Sequence, residues 1–500
     1  MLPRGAGILM HLTCLPGSPG VGDLGPAAWR AAEWLAEAGM SLWQILPLVP
    51  TEPGRGNSPY NSSSTFAGNP LFISPELLLA DGLLTPADLD SAPELPPERV
   101  DYETVWRWRG EVLRRACRRA FSQISLRQEI ERFAAEQASW LDDYCLFACL
   151  AREHAGRLWS QWPWELRDRQ PEALIGARQR LAGELDLERF QQWAFSRQWQ
   201  GLKAHCRGLG LTVLGDLPIY VDQHSADVWA HPELFKLDGA KNPWVVAGVP
   251  PDYFSANGQR WGNPVYDWEA HQRSGFAWWR RRLDRHLELY DMVRVDHFRG
   301  LVAYWEIPAR EATAIHGKWV EAPIYELFKA LARNHPALPI VAEDLGVITA
   351  DVREARRILG LPGMVLLIFA FGEDNPANPY QPHNHRPDLV AYTGTHDNNT
   401  LLGWLKEEAD PATRLRILRY IGRATATDAE LVWEMIRMAM ASVASLAVVP
   451  VQDALCLGGE ARMNLPSRSE GNWNWRLKPG QLDAATAARL RGMAATYGRG

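Results

Sequence analysis

Eight short apolar runs, most of them rich in β-branched residues, constrain the fold of this chain more than any other feature. They are Gly7–Leu12, Ser41–Leu46, Leu211–Gly215, Met292–Asp296, Leu338–Glu343, Met364–Phe369, Leu389–Tyr392 and Leu446–Pro450. Near-continuous apolar runs, rather than alternating ones, read as strands buried on both faces, as in a parallel sheet. Most are followed by a polar loop and then by a stretch at helical spacing, such as Ala27–Ala38, Trp319–Asn334 or Ala350–Leu359. Strand alternating with helix to a count of eight predicts an α/β fold, a (β/α)8 TIM barrel.

Two stretches interrupt that rhythm. Residues 75–201 carry Arg, Glu, Ala and Leu at helical spacing and are expected to form a mainly helical insertion on one face of the barrel. Residues 237–268 are crowded with Gly, Pro, Asn and aromatics and are expected to be an active-site loop. The whole chain, 1–500, reads as a single catalytic barrel, because barrels with insertions reach this length.

Charge and composition exclude several classes of function. The net charge is −6 and spread along the sequence, with no basic tract for nucleic acid and no polybasic or amphipathic stretch for a membrane surface. No segment resembles an 18-residue membrane span or a secretory leader. Six cysteines without a C-x-x-C pair fit free thiols, so a cytoplasmic location is expected.

Asp216, Asp296, Glu343 and Asp397 fall at or just beyond the ends of the third, fourth, fifth and seventh runs. In a barrel all strand C-termini open onto one face, so these four carboxylates would share one cleft. A single such Asp is usually a helix cap or a turn residue; four are harder to explain that way. Arg294 lies on the same face as Asp296, two residues away along the strand, and would keep it ionised as a nucleophile requires. Glu343 follows the apolar Pro339-Ile-Val-Ala, surroundings that raise a carboxyl pKa and hold a proton for a leaving oxygen. Asp397, beside His396, could bind sugar hydroxyls and stabilise a developing cation, or simply shape its Asp-Asn-Asn turn. Paired carboxylates of opposite proton state are the equipment for cleaving a glycosidic bond. Tyr60 and Trp261, in Gly/Pro/Asn-rich loops, are candidate sugar-stacking residues, and Tyr102 in the insertion is a candidate second stacking position away from the cleft. His383 and His385 form an H-x-H, but within a Pro/Asn-rich loop rather than at a strand end, so no catalytic metal is expected.

The wider motif set closely resembles the 4-α-glucanotransferases (amylomaltase, or disproportionating enzyme) of the α-amylase superfamily. It comprises Ser58-Pro-Tyr60-Asn-Ser-Ser-Ser-Thr-Phe-Ala-Gly-Asn-Pro70, Gly215-Asp216-Leu-Pro-Ile-Tyr-Val, Gly248-Val-Pro-Pro-Asp252-Tyr-Phe, Gly258-Gln259-Arg-Trp261-Gly, Val295-Asp296-His-Phe-Arg299-Gly and Arg462-Met-Asn464-Leu-Pro. The resemblance implies a retaining enzyme acting on α-1,4-glucan and maltooligosaccharide donors and acceptors; no cofactor is expected, because side chains fill both catalytic roles. It implies Asp296 as nucleophile, Glu343 as general acid and then base, and Asp397 as transition-state stabiliser. Ser58, Tyr60, Asp216, Gln259, Trp261, Arg294, His396 and Asn464 would bind substrate, beneath a loop at Gly248–Trp268. The sequence departs from the family pattern at Leu465-Pro-Ser467, which leaves the core roles untouched, and along Leu361–Phe371, which bears on acceptor binding. Hydrolysis by the same residues is the alternative to transfer, since the two differ only in what attacks the intermediate.

Overall fold

The computed structural model describes residues 3–17, 19–251, 255–346, 348–466, 468 and 470–500. Its strands, in chain order, are β1 Gly5–Leu9, β2 Leu42–Gln44, β3 Thr212–Leu217, β4 Val245–Val249, β5 Gln259–Pro264, β6 Met292–Val295, β7 Ala303–Pro308, β8 Lys318–Glu321, β9 Ile340–Ala342, β10 Gly363–Leu366, β11 Leu389–Tyr392 and β12 Leu446–Pro450. Eight of them form one all-parallel sheet in the order β10-β11-β12-β1-β2-β3-β6-β9. Ala342 N–H, on β9, donates to Pro362 O, just before β10, at 2.8 Å and so joins the two ends. The result is a (β/α)8 barrel. Each expected run overlaps one of its strands, because strands buried on both faces need near-continuous apolar sequence. The first run is trimmed: β1 stops at Leu9, and Leu12–Cys14 is a 3₁₀ turn.

Helices on the outside bury one stripe against the strands. Pro26–Glu37, with proline in its first turn, buries Ala28, Ala31, Ala32 and Leu35. Between β2 and β3 the chain is mainly helical, including Tyr102–Ser122, Leu141–Glu153 and Ala182–Gly208. The last of these positions the site. Gln192 pairs with the backbone of Gly68 through bonds of 2.7 and 2.9 Å, and Gln198 with Ser74 through 2.7 and 3.2 Å. Two glutamines six residues apart on this helix thus clamp the segment that follows Tyr60. A Cβ at Gly68 would lie 2.1 Å from the Phe195 ring, so only glycine fits beneath that helix.

Two expectations need correcting. The stretch 237–268 contains β4 and β5, which join β7 and β8 in an antiparallel sheet ordered β5-β4-β7-β8. Its Gly and Asn content marks close backbone approach: a Cβ on Gly248 would stand 2.2 Å from the Gln259 carbonyl oxygen. The helix expected from Trp319 instead begins at Ile324 and ends at Leu331. Before it lies the largely exposed strand β8, where Trp319 packs edge-on against its cross-strand partner Trp305 at 5.3 Å. Pro323 separates strand from helix.

Candidate active site

Parallel register builds the centre. Asp216 on β3 is the direct neighbour of Arg294 on β6, and neighbours in register point to the same side of a sheet. Arg294 Nη1 lies 2.8 and 2.7 Å from the two Asp216 oxygens, with both side chains buried. Nη2 of the same guanidinium reaches Asp296 at 3.0 Å. Burial alone would weaken the Arg294 charge, but Asp216 and Asp296 reverse that and hold it firmly protonated. Burial pushes the Asp296 carboxyl well above the usual range; Arg294 opposes it, and Asp216, Glu343 and Asp397 reinforce it.

Glu343, just after β9, is held differently. His297 adopts a left-handed conformation (φ 48°, ψ 48°), which aims its backbone N–H at Glu343 Oε2, 2.7 Å away. Leu345 N–H donates to Oε1 at 3.1 Å. Burial raises the Glu343 carboxyl, while Arg294 and these two donors pull it down. The adjacent Asp344 leaves the cleft to meet Arg356 at 3.1 Å and the Met364 N–H at 2.8 Å.

A third group closes the ring. Tyr60 donates its hydroxyl proton to Asp216 at 2.6 Å, so the 2.8 Å contact with His396 Nε2 requires that nitrogen to carry the proton. Burial, reinforced by Asp216, keeps the Tyr60 phenol neutral. Burial also lowers the His396 pKa against the pull of Asp397, favouring neutral imidazole. His396 Nε2 lies 3.4 Å from Asp397, whose other oxygen accepts from Asn464 Nδ2 at 2.6 Å. The polar chain Asn464–Asp397–His396–Tyr60–Asp216–Arg294–Asp296 therefore runs unbroken across the barrel mouth.

The other sequence candidates sit around this chain. Ser58 accepts the Tyr60 backbone N–H at 3.2 Å and supports the tyrosine. Gln259 and Trp261 lie on β5, where the indole N–H donates to Gln259 at 3.1 Å. The Trp261 ring stands edge-on to His297 at 4.7 Å, and Trp261 remains 38% exposed, free to meet a ligand. Tyr102 is not an exposed stacking residue: it is buried and its hydroxyl donates to Trp473 O at 2.7 Å. His385 is engaged by Ser442 at 2.7 Å and Tyr380 O at 2.9 Å. Asp252 and Ser467, from the motifs, lie outside the described residues.

Sequence reasoning missed Trp473, and named Arg462 within a motif without giving it a role. Trp473 packs 5.8 Å from Tyr60 and 5.9 Å from His396, and Arg462 donates to the Asp397 carbonyl at 2.8 Å. The Gly471-Asn-Trp473-Asn-Trp475 stretch carried the same loop-borne aromatic signal as Tyr60.

Residues 10–483 match the family model described as 4-alpha-glucanotransferase. The 4-alpha-glucanotransferase of Thermus thermophilus is 49% identical across 99% of this chain and 98% of its own length. That of Synechocystis sp. is 45% identical over 99% and 98%. Among solved structures, amylomaltase from Streptococcus agalactiae in complex with acarbose superposes with a TM-score of 0.95 at 35% identity, covering 99% of this chain and all of that one.

Proposed function

The chain belongs to the 4-alpha-glucanotransferase family, and on that premise we propose a retaining double displacement on α-1,4-glucans through a covalent β-glucosyl–Asp296 intermediate. The chain is read as one catalytic unit, with the helical segment and the β4–β5 arm as its insertions.

The observation that carries the reading is an asymmetry between two carboxyls facing the same cleft. Asp296 touches a permanent cation, whereas Glu343 is held by two backbone N–H groups. The two titrate as a pair, so their apparent pKa values belong to both. Direct contact with Arg294 favours the anion on Asp296 and leaves the shared proton on Glu343. Glu343 then protonates the glycosidic oxygen as Asp296 attacks the anomeric carbon, and the released glucan departs. A second glucan brings its 4-hydroxyl; Glu343, now anionic, takes that proton while the C–O bond to Asp296 breaks. Two inversions give net retention.

Asp397, Arg294, His396, Asp216 and Asn464 are assigned to sugar hydroxyls of the residue being transferred. Donors already oriented by one another lose little freedom when substrate arrives. Trp261 and Gln259 on the β4–β5 arm would flank the glucan and help exclude water, favouring transfer over hydrolysis. No step calls for a cofactor or metal.

Incubation with maltotriose alone tests this. Glucose together with longer maltooligosaccharides is the expected result. Shorter sugars only, with rising reducing ends, would contradict transfer.

A further inference from the structure

The polar chain leaves one atom of His396 unexplained. Its Nε2–H is committed to Tyr60 and Asp397, but Nδ1 is buried and has no hydrogen-bond partner among the described residues. In the neutral ring this nitrogen is a bare acceptor, and an unmet buried acceptor is costly. Of the other buried atoms in that condition, His11 Nδ1 and Asn399 Oδ1 belong to residues beside it. All three residues line one cavity, together with Thr400, Gln452 and Arg462.

The topology explains the meeting. β12 lies between β1 and β11. His11 follows β1, His396 follows β11, and the cavity sits beyond Pro450 at the tip of β12. About 20 Å³ of it is open to the centre of a water molecule, and one ordered water needs roughly 10–15 Å³ so measured. Asp453, the acid on this wall, is already used by Thr393 and by the Leu401 N–H, each at 2.7 Å.

We propose that His11 is a positioning residue for His396, acting through one buried water that accepts from the His11 ring and donates to His396 Nδ1 and Asn399 Oδ1. Three bonds of this kind satisfy one water and all three orphaned atoms. The bond to Nδ1 locks His396 as the Nε2–H tautomer and so aims its proton at Tyr60 and Asp397. The groups facing His396 are Tyr60, Asp397, Asp216, Arg294 and His11. Burial holds the His11 pKa down to about 3, with His396 adding to it, so His11 acts as a neutral donor. The proposal rests on the reading of His396 as part of the donor site.

Histidine-selective ¹⁵N NMR of the whole protein at neutral pH tests the tautomer directly. His396 protonated on Nε2 with bare Nδ1 is expected, and the opposite tautomer overturns the proposal. His11→Phe removes the donor and His11→Gln restores one. The phenylalanine variant is expected to lose about tenfold in kcat, the size of one hydrogen bond, with KM within about twofold. His11→Gln should recover most of that loss at the same melting temperature. Equal loss in both variants, or loss carried by KM, contradicts positioning through a hydrogen bond. Wild-type turnover of maltotriose tests the enzymatic reading separately, since it does not depend on His11 acting this way.

Discussion

Arg294 stands 3.0 Å from Asp296 while the same guanidinium holds Asp216. One cation thus orients the Asp296 carboxylate against a fixed, buried counter-charge. Lysine cannot reproduce that fork, because its ammonium is a single point charge on a flexible stem. Arg294→Lys is expected to lower kcat at least about 100-fold while the protein stays folded. Steady-state kinetics with circular dichroism check this; near-normal kcat would mean that charge alone suffices.

On the proposed mechanism, Asp296→Asn keeps shape and removes the nucleophile. Turnover should fall at least about 10⁴-fold, as when an acting nucleophile is deleted elsewhere. Thermal unfolding should show the fold intact, and retained activity would remove Asp296 from its assigned role.

In the proposed double displacement, the proton shared by Asp296 and Glu343 sets the pH profile. Burial raises both carboxyls, so the alkaline limb, where the acid deprotonates, should lie above the ordinary carboxylate range. Activity is lost as pH rises through that upper value, and again as pH falls through the lower value and Asp296 is protonated. In Glu343→Gln, an α-glucosyl fluoride donor, which needs no protonated leaving group, should still glycosylate the enzyme, and the alkaline limb of that step should vanish. A persistent limb would place the acid on another residue.

Trp261 tests the aromatic cover. Because it is exposed and meets His297 only at its edge, Trp261→Ala should spare stability. KM for maltotriose should rise by about tenfold, the loss of one stacking contact. Unchanged KM would mean that the ring does not touch substrate.

Gly248→Ala should act on the same cover from a distance. The added methyl meets the Gln259 carbonyl at 2.2 Å and Ile307 at 2.6 Å, and such overpacking costs about 1–3 kcal/mol. The expected result is lower kcat/KM with barrel secondary structure retained, read by kinetics and far-ultraviolet circular dichroism.

The barrel was legible because its strands are buried on both faces and leave continuous apolar runs. The second sheet was not, for the opposite reason. β8 (Lys318–Glu321) is largely exposed, and β5 (Gln259–Pro264) carries Gly, Asn and Pro, so neither shows periodicity. At the site, strand-end position revealed Asp216, Asp296 and Glu343 without any contact being known. The partnerships could not be read that way. Tyr60 meets Asp216 across 156 positions and His396 across 336, and only the closed barrel brings them together. His11, the residue of the further proposal, gave no signal for another reason: a lone histidine inside an apolar run looks like core.

The covalent intermediate is the central claim, and trapping it is the most direct test. A 5-fluoro-α-glucosyl fluoride donor, slow to turn over, should inactivate the enzyme and leave one sugar attached. Peptide mass spectrometry should find that mass on the fragment containing Asp296. A label on another carboxylate, or rapid donor turnover with inverted product and no label, would contradict the account.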